Sequence, residues 1–476
     1  MPEIRRAHPV LTLTYAKRYF FLLVLPLLRG FIDFAAGNGF ARLATLELLG
    51  LLLMSVISVL SWRAVSFWID NGVLTVRRGL LVRREYIFPL CRISSVSVSQ
   101  SVFLSLFGAA RLSVDTEAGG GKKSDLELLV YKKDIALFEL CRGGLRPSEE
   151  PEPQKRVSFR TRNRLLAAVS LSNPAAGLLF AAPLVNRLGK LLGESIPGKV
   201  YDVLGIASEL LAKIIPAAAS GLAALLLAGW VLSICLTLFR EGRVTLSAVG
   251  SYVITRHGTV SVTRTAGNKR SIFGVVIRRH FFAPLRRLYS GNMICAGFSK
   301  EMSGLGTLIP CVMQAECAAV IEGVFGFDPE FEPHIRPHKK SWLAFFTPPL
   351  LLLLAQVAVC TALWLFFPGY KSVIIPAMSV FLLLFAAKTY VAVYCRRHGG
   401  VALSGRRLAV FEQKKYTAQA AHLPYDKIGG FILAQPPFQR GERLCRLRVL
   451  MLCEQGGGFS APGLPVEDVL EMLKLK

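Results

Sequence analysis

The sequence predicts an integral membrane protein built from three copies of one unit, a transmembrane helix pair followed by a small β-rich domain. Three observations carry this reading. Six apolar stretches are long enough to cross a bilayer, and they fall in pairs. Lys and Arg gather on one side of every pair. The three segments that follow the pairs share one set of residue spacings.

The apolar stretches are 19–36 and 43–61, 165–185 and 216–239, and 343–367 and 372–394. The first and third pairs have short links, 37–42 and 368–371. The middle link, 186–215, carries Leu188, Leu191 and Leu192, then Val200, Val203 and Leu204. That spacing predicts external amphipathic helices lying at the interface. Arg5, Arg6, Lys17 and Arg18 precede the first pair. Lys155, Arg156, Arg160, Arg162 and Arg164 precede the second. Arg336, Lys339 and Lys340 precede the third, and Arg396 and Arg397 follow it. Both termini and all three β segments are therefore expected in the cytoplasm. Ala35-Ala36-Gly37 is similar to a signal-peptide cleavage site, but Arg29 and Asp33 interrupt the apolar run and a second span follows at once. The first span is expected to be retained.

Composition agrees. The chain has 476 residues, 53% hydrophobic and 18% charged, with mean hydropathy +0.46, a mixture of spans and soluble parts. Lys and Arg outnumber Asp and Glu by 57 to 31, a net charge of +26. The apolar runs assign this charge to an anionic lipid leaflet rather than to nucleic acid, for which no aromatic-basic stacking motif is present. The ten cysteines form no CxxC pair and read as reduced small hydrophobes, not as a disulfide framework or a zinc site.

The first β segment opens with alternating residues around Asn71-Gly72, a hairpin signal. Alternation continues through Ile93, Val96 and Val98, then Leu112 and Val114, then Leu126, Leu128 and Val130. A helix over 133–141 is expected to close it. The third segment repeats the grammar. Pro89 to Ile93 matches Pro424 to Ile428, Phe103 matches Phe438, and Arg111-Leu112 matches Arg446-Leu447, with a closing helix over 465–475. The second segment is more divergent. Gly258 stands 14 residues before Ile272, as Gly79 stands before Ile93, and Phe282 follows at the same distance as Phe103. It lacks the proline and the Arg-Leu pair, and its closing helix is expected over 315–325. The expected division is 1–61 tail and first helix pair, 62–145 first domain, 146–164 basic linker, 165–239 second pair, 240–330 divergent second domain, 331–342 linker, 343–394 third pair and 395–476 third domain.

The run Ile69-Asp70…Gly72-Val-Leu-Thr-Val…Gly79, then Ile87-Phe-Pro-Leu-Cys-Arg-Ile93, then Phe103…Phe107-Gly108…Arg111-Leu112 resembles the bacterial pleckstrin-homology family. The layout of three helix pairs, each with such a domain, resembles the YdbT-like membrane proteins. The resemblance implies PH-like β-sandwich or split-barrel domains, each with a C-terminal helix in one open end. It further implies assembly or membrane-associated modules in envelope maintenance or resistance to membrane-active agents. Membrane lipids and a protein partner, a shorter single-domain relative being one choice, are what it implies as binding partners.

No catalytic, cofactor or metal motif is legible, and a non-enzymatic protein without cofactors is expected. Gly119-Gly-Gly-Lys-Lys-Ser124 has the wrong order for a phosphate loop and reads as a hairpin turn. His334 and His338 are four apart but flanked by Pro333 and Pro337, so they read as solvated linker residues. The basic pairs Arg77-Arg78, Arg83-Arg84, Lys122-Lys123 and Arg406-Arg407 are candidates for lipid or partner contact; Arg278-Arg279, Arg286-Arg287 and Lys414-Lys415 are similar clusters. Arg29, Asp33 and Glu47 are candidate intramembrane polar groups. A membrane scaffold is the reading these features support best; a transporter or export accessory using the six helices is the alternative.

Overall fold

The computed structural model describes residues 3–19, 41–80, 82–117, 124–135, 155–159, 161–171, 195–212, 217–259, 261–279, 288–295, 308–366, 371–414, 417–452 and 458–474. Strand β1 (Arg5–Arg6) and helix α1 (Leu11–Tyr19) begin the chain, followed by helix α2 (Ala41–Arg63). Then come β2 (Ser66–Asp70), β3 (Val73–Arg78) and β4 (Arg84–Pro89). Asn71 and Gly72, at φ 47° and 75°, make the tight turn between β2 and β3, the left-handed pair that an Asn-Gly sequence favours. A 3-10 turn (Leu90–Arg92) leads to β5 (Ile93–Gln100), the short helix α3 (Val102–Leu106), β6 (Ala109–Thr116) and β7 (Leu126–Tyr131).

The same order recurs twice. After β8 (Lys155–Ser158), α4 (Thr161–Leu171), α5 (Ser195–Ala212) and α6 (Ala217–Glu241) come β9 (Thr245–Val249), β10 (Tyr252–His257) and β11 (Val262–Asn268). A 3-10 turn (Lys269–Ser271) then precedes β12 (Ile272–Arg279), β13 (Leu288–Cys295), β14 (Ile309–Met313) and α7 (Gln314–Phe325). After α8 (Trp342–Phe366) and α9 (Lys371–His398) come β15 (Gly400–Ser404), β16 (Arg407–Lys414) and β17 (Thr417–Pro424). A 3-10 turn (Tyr425–Lys427) precedes β18 (Ile428–Ala434), α10 (Pro437–Arg440), β19 (Leu444–Met451), β20 (Phe459–Pro465) and α11 (Val466–Lys474). Each 3-10 turn ends at the isoleucine on which the repeat aligns.

The divergent features of the second segment have local causes. Where Pro89 and Pro424 enter the 3-10 turns, Asn268 caps instead, its side chain accepting from the Arg270 N–H at 3.0 Å. Where Leu112 and Leu447 fill the core, Gly291 leaves a space that Ile309 fills, with side-chain atoms 3.0 Å from where a Cβ would stand.

The sheets do not follow the expected segment boundaries. Four run in the orders β1-β2-β3-β4, β7-β6-β5-β11-β10-β9-β8, β14-β13-β12-β17-β16-β15 and β18-β19-β20. The seven-stranded sheet thus joins the first and second segments through β5 and β11, and the six-stranded sheet joins the second and third through β12 and β17. Three apolar cores lie against them, centred on Leu74, Leu112 and Val130, on Leu246, Ile309 and Ile321, and on Leu408, Leu423 and Leu447.

Residues read in sequence as a tail and as linkers also join the sheets. Arg5 and Arg6 pair with Phe67 and Ser66, Lys155 to Ser158 pair with Ala248 to Thr245, and Ile335 bridges Val401. In each repeat, then, the chain just before the helical region is hydrogen-bonded to the first strand after it.

Lys339–Phe366 is the one described helix long and apolar enough to cross a bilayer, with mean hydropathy 2.2 and 11% of its apolar window buried. Shorter apolar helical stretches occupy Gly50–Arg63 and Ala224–Phe239. The expected span 19–36 lies outside the described residues apart from its first, and 165–185 is described only to Leu171. The link expected to hold external amphipathic helices contains α5, which packs along α6 with the Ser208 and Ser220 hydroxyls 2.9 Å apart. A helix has begun by Gln314 and Val466, close to the positions expected for the second and third closing helices; the first, 133–141, is described only as a 3-10 turn (Lys132–Asp134) and Ile135.

Candidate functional site

Two features are built by the repeat: a helix-proximal end of each sheet and the junctions between segments. α2 ends at Arg63 and β2 begins at Ser66, which pairs with Arg77. Arg78 in turn pairs with Arg84, so the β3–β4 turn lies at the helix end of the sheet. Gly79 closes this turn at φ 112°, where an added Cβ would stand 2.0 Å from the Val82 carbonyl oxygen. Gly258, its counterpart, has φ 97° and would meet the Ser261 oxygen at 1.8 Å. The second turn touches a helix directly: Thr259 Oγ1 donates to the Phe239 carbonyl of α6 at 3.2 Å.

The basic candidates divide by position. Arg83 and Arg84 are exposed on the helix-proximal turn. Arg77 pairs with Glu85 at 2.6 Å and lies 5.5 Å from the centre of the Trp68 ring. Arg78 turns inward and donates to the Glu127 carbonyl, and burial lowers its pKa. Arg406 is exposed on the β15–β16 turn, at the far end of β15 from α9. At about 3.3 Å per residue, five residues of strand put it about 16 Å from the helix end, beyond the ~8 Å screening length of physiological salt. Arg407 sits 3.9 Å from the centre of the Phe327 ring. Arg78 and Arg407 are thus engaged in packing within the protein. Lys122 and Lys123 lie outside the described residues, as do Arg29 and Asp33; Glu47 falls in α2, and its side chain is not among those described. The connection that holds Lys122 and Lys123 leaves β6 at Thr116, opposite the Arg111 end.

An apolar patch adjoins the helix-proximal end. β5 finishes at Gln100, which pairs with Val262 just beyond the turn that touches α6. α3 follows at once, and with the residue that ends it exposes Val102, Phe103, Leu106 and Phe107, of which Leu106 is 79% accessible. The Phe103 and Phe107 ring centres lie 4.9 Å apart with the rings tilted at 57°, while Leu104 anchors the helix in the protein.

The histidines expected to be solvated include one with a structural task. His338 Nδ1 accepts from the Lys340 N–H at 3.3 Å, opening the turn into α8, as His8 Nδ1 accepts from Val10 N–H at 3.2 Å before α1. His334 lies in the extended stretch, its N–H donating to the Val401 carbonyl.

The junctions share one geometry. Val96 opposes Ala266 and Ser97 opposes Thr265 in the first; Val275 opposes His422 and Val276 opposes Ala421 in the second. Counted from Ile93, Ile272 and Ile428, the two registers are identical. Thr265 Oγ1 donates to Ser97 Oγ at 3.1 Å within the first junction. In the second, Gly274 permits the close approach, since a Cβ there would stand 2.8 Å from the His422 carbonyl oxygen. Val276, 4% exposed, completes the core of the third segment. Beside it the buried Glu412 accepts from Gln419 and from the Ser460 N–H at 2.6 Å, and burial raises its pKa. Arg279 donates to Tyr394 of α9 and tethers β12 to that helix.

These junctions were not anticipated from sequence. A signal was present: Ile272 to Ile277 is an unbroken apolar run with one glycine, the pattern of a strand covered on both faces rather than one.

Residues 20–142 match the bacterial PH domain family. The chain is 23% identical over 414 residues, 79% of its own length and 80% of the relative's, to UPF0699 transmembrane protein YdbT of Bacillus subtilis (strain 168). No solved structure matches. The chain carries a bacterial PH domain and is similar across most of its length to a YdbT-like transmembrane protein.

Proposed function

We propose that the protein is a non-enzymatic, multi-pass scaffold of the cell membrane, with PH-like domains held under the cytoplasmic leaflet for protein assembly and contact with anionic lipid. Envelope maintenance or resistance to membrane-active agents is the setting this reading fits. One observation carries it: the segment before each helical region pairs with the strand after it, through β1, β8 and Ile335. A chain that must return to its own sheet crosses the bilayer an even number of times, which supports three out-and-back helix pairs and one shared side for the β domains. The exposed apolar length of α8 fits a lipid surround. The turn bearing Arg83 and Arg84 and the apolar face of α3 are the lipid-contact elements of this reading; Arg406 and Arg407 are not.

The test is hydrogen exchange on the full chain in nanodiscs. Residues 79–84 and 102–107 should be protected more in discs containing phosphatidylglycerol than in purely zwitterionic discs, with the 404–407 turn unchanged. Equal exchange in both lipids would remove the anionic-lipid part of the proposal. A cysteine label on the 79–84 turn that reacts only from outside sealed cells would remove its orientation.

A further inference from the structure

The arrangement that joins the segments leaves its two halves unused at opposite ends of the chain. Each junction pairs the strand after a 3-10 turn with the strand before the 3-10 turn of the next segment: β5 with β11, and β12 with β17. By the same rule the first segment has a free strand of the second kind, β4, and the third has a free strand of the first kind, β18. No described strand pairs with the outer edge of either.

Both edges look like junction strands without their partner. Ile428 to Ala434 is an apolar run like that of β12, the composition of a covered strand, yet Ile432 is 43% exposed where its counterpart Val276 is 4%. Ile87 on β4 is 63% exposed where His422 is 3%. A Cβ on Gly274 would strike the paired strand, whereas one on Gly430, its counterpart, would meet nothing within 4 Å. Long apolar edges of this kind are what folded proteins ordinarily cover.

We infer that copies of this chain join head to tail, β18 of one pairing antiparallel with β4 of the next in the register of the two internal junctions. That register sets Gly430 against the next copy's Phe88, Phe431 against Ile87, Ile432 against Tyr86, Leu433 against Glu85 and Ala434 against Arg84. No like charges oppose each other. Ile432 enters the core beneath Tyr86, as Val276 enters the core of the third segment. The orientation suits one membrane. Arg84 lies at the helix end of its sheet; so does Ala434, since β18 pairs through Arg446 with β19, whose start lies against Pro465, and Gly463 on that strand packs on Ser341 at the entry to α8. Two copies in the same bilayer therefore present these edges side by side without inversion. Because the two surfaces differ, the contact is heterologous and builds a ring or an open row.

This deepens the scaffold reading by naming a partner, and its test reads strand pairing rather than lipid contact, so each fails separately. Two differently tagged full-length copies, both with the exposed Cys91 replaced by Ser, are co-expressed, one bearing Glu85→Cys and the other Leu433→Cys. Mild oxidation in native membranes should give a reducible band at twice the 52.2 kDa chain mass that carries both tags. Replacing Leu433→Cys by Ile432→Cys, one residue out of register and on the opposite face, should reduce that band at least tenfold. Val98→Cys with Arg264→Cys, the equivalent pair within one chain, reports that the strands are folded and oxidised. Closure of this internal pair with no two-tag band would overturn the proposal, as would cross-linking of Leu433→Cys to a different protein alone. The unmodified chain in mild detergent should have a mass that is a multiple of one chain, falling to a single chain with Ile432→Lys. A single-chain mass for the unmodified protein, together with failed cross-linking in the membrane, would also overturn it.

Discussion

Acidification should loosen the second junction, and His422 should be a measurable part of the reason. His422 is 3% exposed on β17, flanked by Phe327 and Phe411, and burial with Arg407 nearby lowers its pKa to about 4. An opened segment returns it to the ordinary value near 6.5. The folded form is the neutral one, so the group has no effect on stability above pH ~6.5. The opened form binds the proton first as pH falls, and stability is lost between about 6.5 and 4. At pH 5 the factor is about 30 in favour of opening, or about 2 kcal/mol. Glu412 acts in the opposite sense, because its raised pKa favours the protonated folded form as pH falls. Comparison with a His422→Leu chain, which keeps Glu412, isolates the histidine. Hydrogen exchange at β16 and β17 gives the opening free energy directly. Between pH 7 and pH 5 the parent should lose about 2 kcal/mol more than His422→Leu. Parallel pH profiles for the two chains would refute the assignment of a buried neutral imidazole.

Gly274→Ala should destabilise the β12–β17 pairing by about 1–3 kcal/mol, since its Cβ meets a backbone carbonyl that cannot move alone. Gly430→Ala, with open space around it, should change the stability of a single chain by no more than about 0.5 kcal/mol; urea titration of both variants in detergent checks the contrast. Gly79→Ala forces a side chain into a left-handed turn against Val82 and should speed trypsin cleavage at Arg83 and Arg84, with Gly72→Ala, which has open space, slower to be cut. Arg83→Ala with Arg84→Ala should weaken protection of the 79–84 turn by anionic discs by about 1 kcal/mol per residue at low salt, and Arg406→Ala should leave it unchanged.

The elements that were legible in sequence are those set by local chemistry. Asn71-Gly72 dictates a hairpin, the apolar lengths at 343–367 and 372–394 correspond to α8 and α9, and the spacing from each glycine to each isoleucine marks turns that the structure places alike. The junctions were not legible because strand partners are chosen by three-dimensional edges, and nothing local in Val262 to Asn268 says that its neighbour is 168 residues away at Ser97. β1 and β8 were missed for a different reason. Runs of two and four residues are too short to show alternation, and their basic side chains were accounted for by membrane orientation. The basic clusters were visible, but their separation into near and far turns requires the length of β15 and the start of β2.

The divergence of the second segment follows from its place between two neighbours. It is the only segment among those described with both kinds of junction strand covered: β11 by β5, and β12 by β17. β11 carries Thr263, Thr265, Ala266 and Gly267 where the uncovered β4 carries Arg84, Tyr86, Ile87 and Phe88. β12 keeps its apolar run but needs Gly274 where the backbone of β17 passes. The terminal segments are each covered on one side only, and each retains bulk on the other, in Ile87 and in Ile432. If those free edges meet between copies, the large residues are not an exception to the pattern. They then make up a third junction, in which size replaces the small residues because its two strands come from separate chains and must hold together without a covalent link. Measuring the Glu85–Leu433 cross-link in chains carrying Ile87→Ala separates the two accounts. Loss of the cross-link would show that bulk at this edge serves pairing, and full retention would show that the register alone suffices.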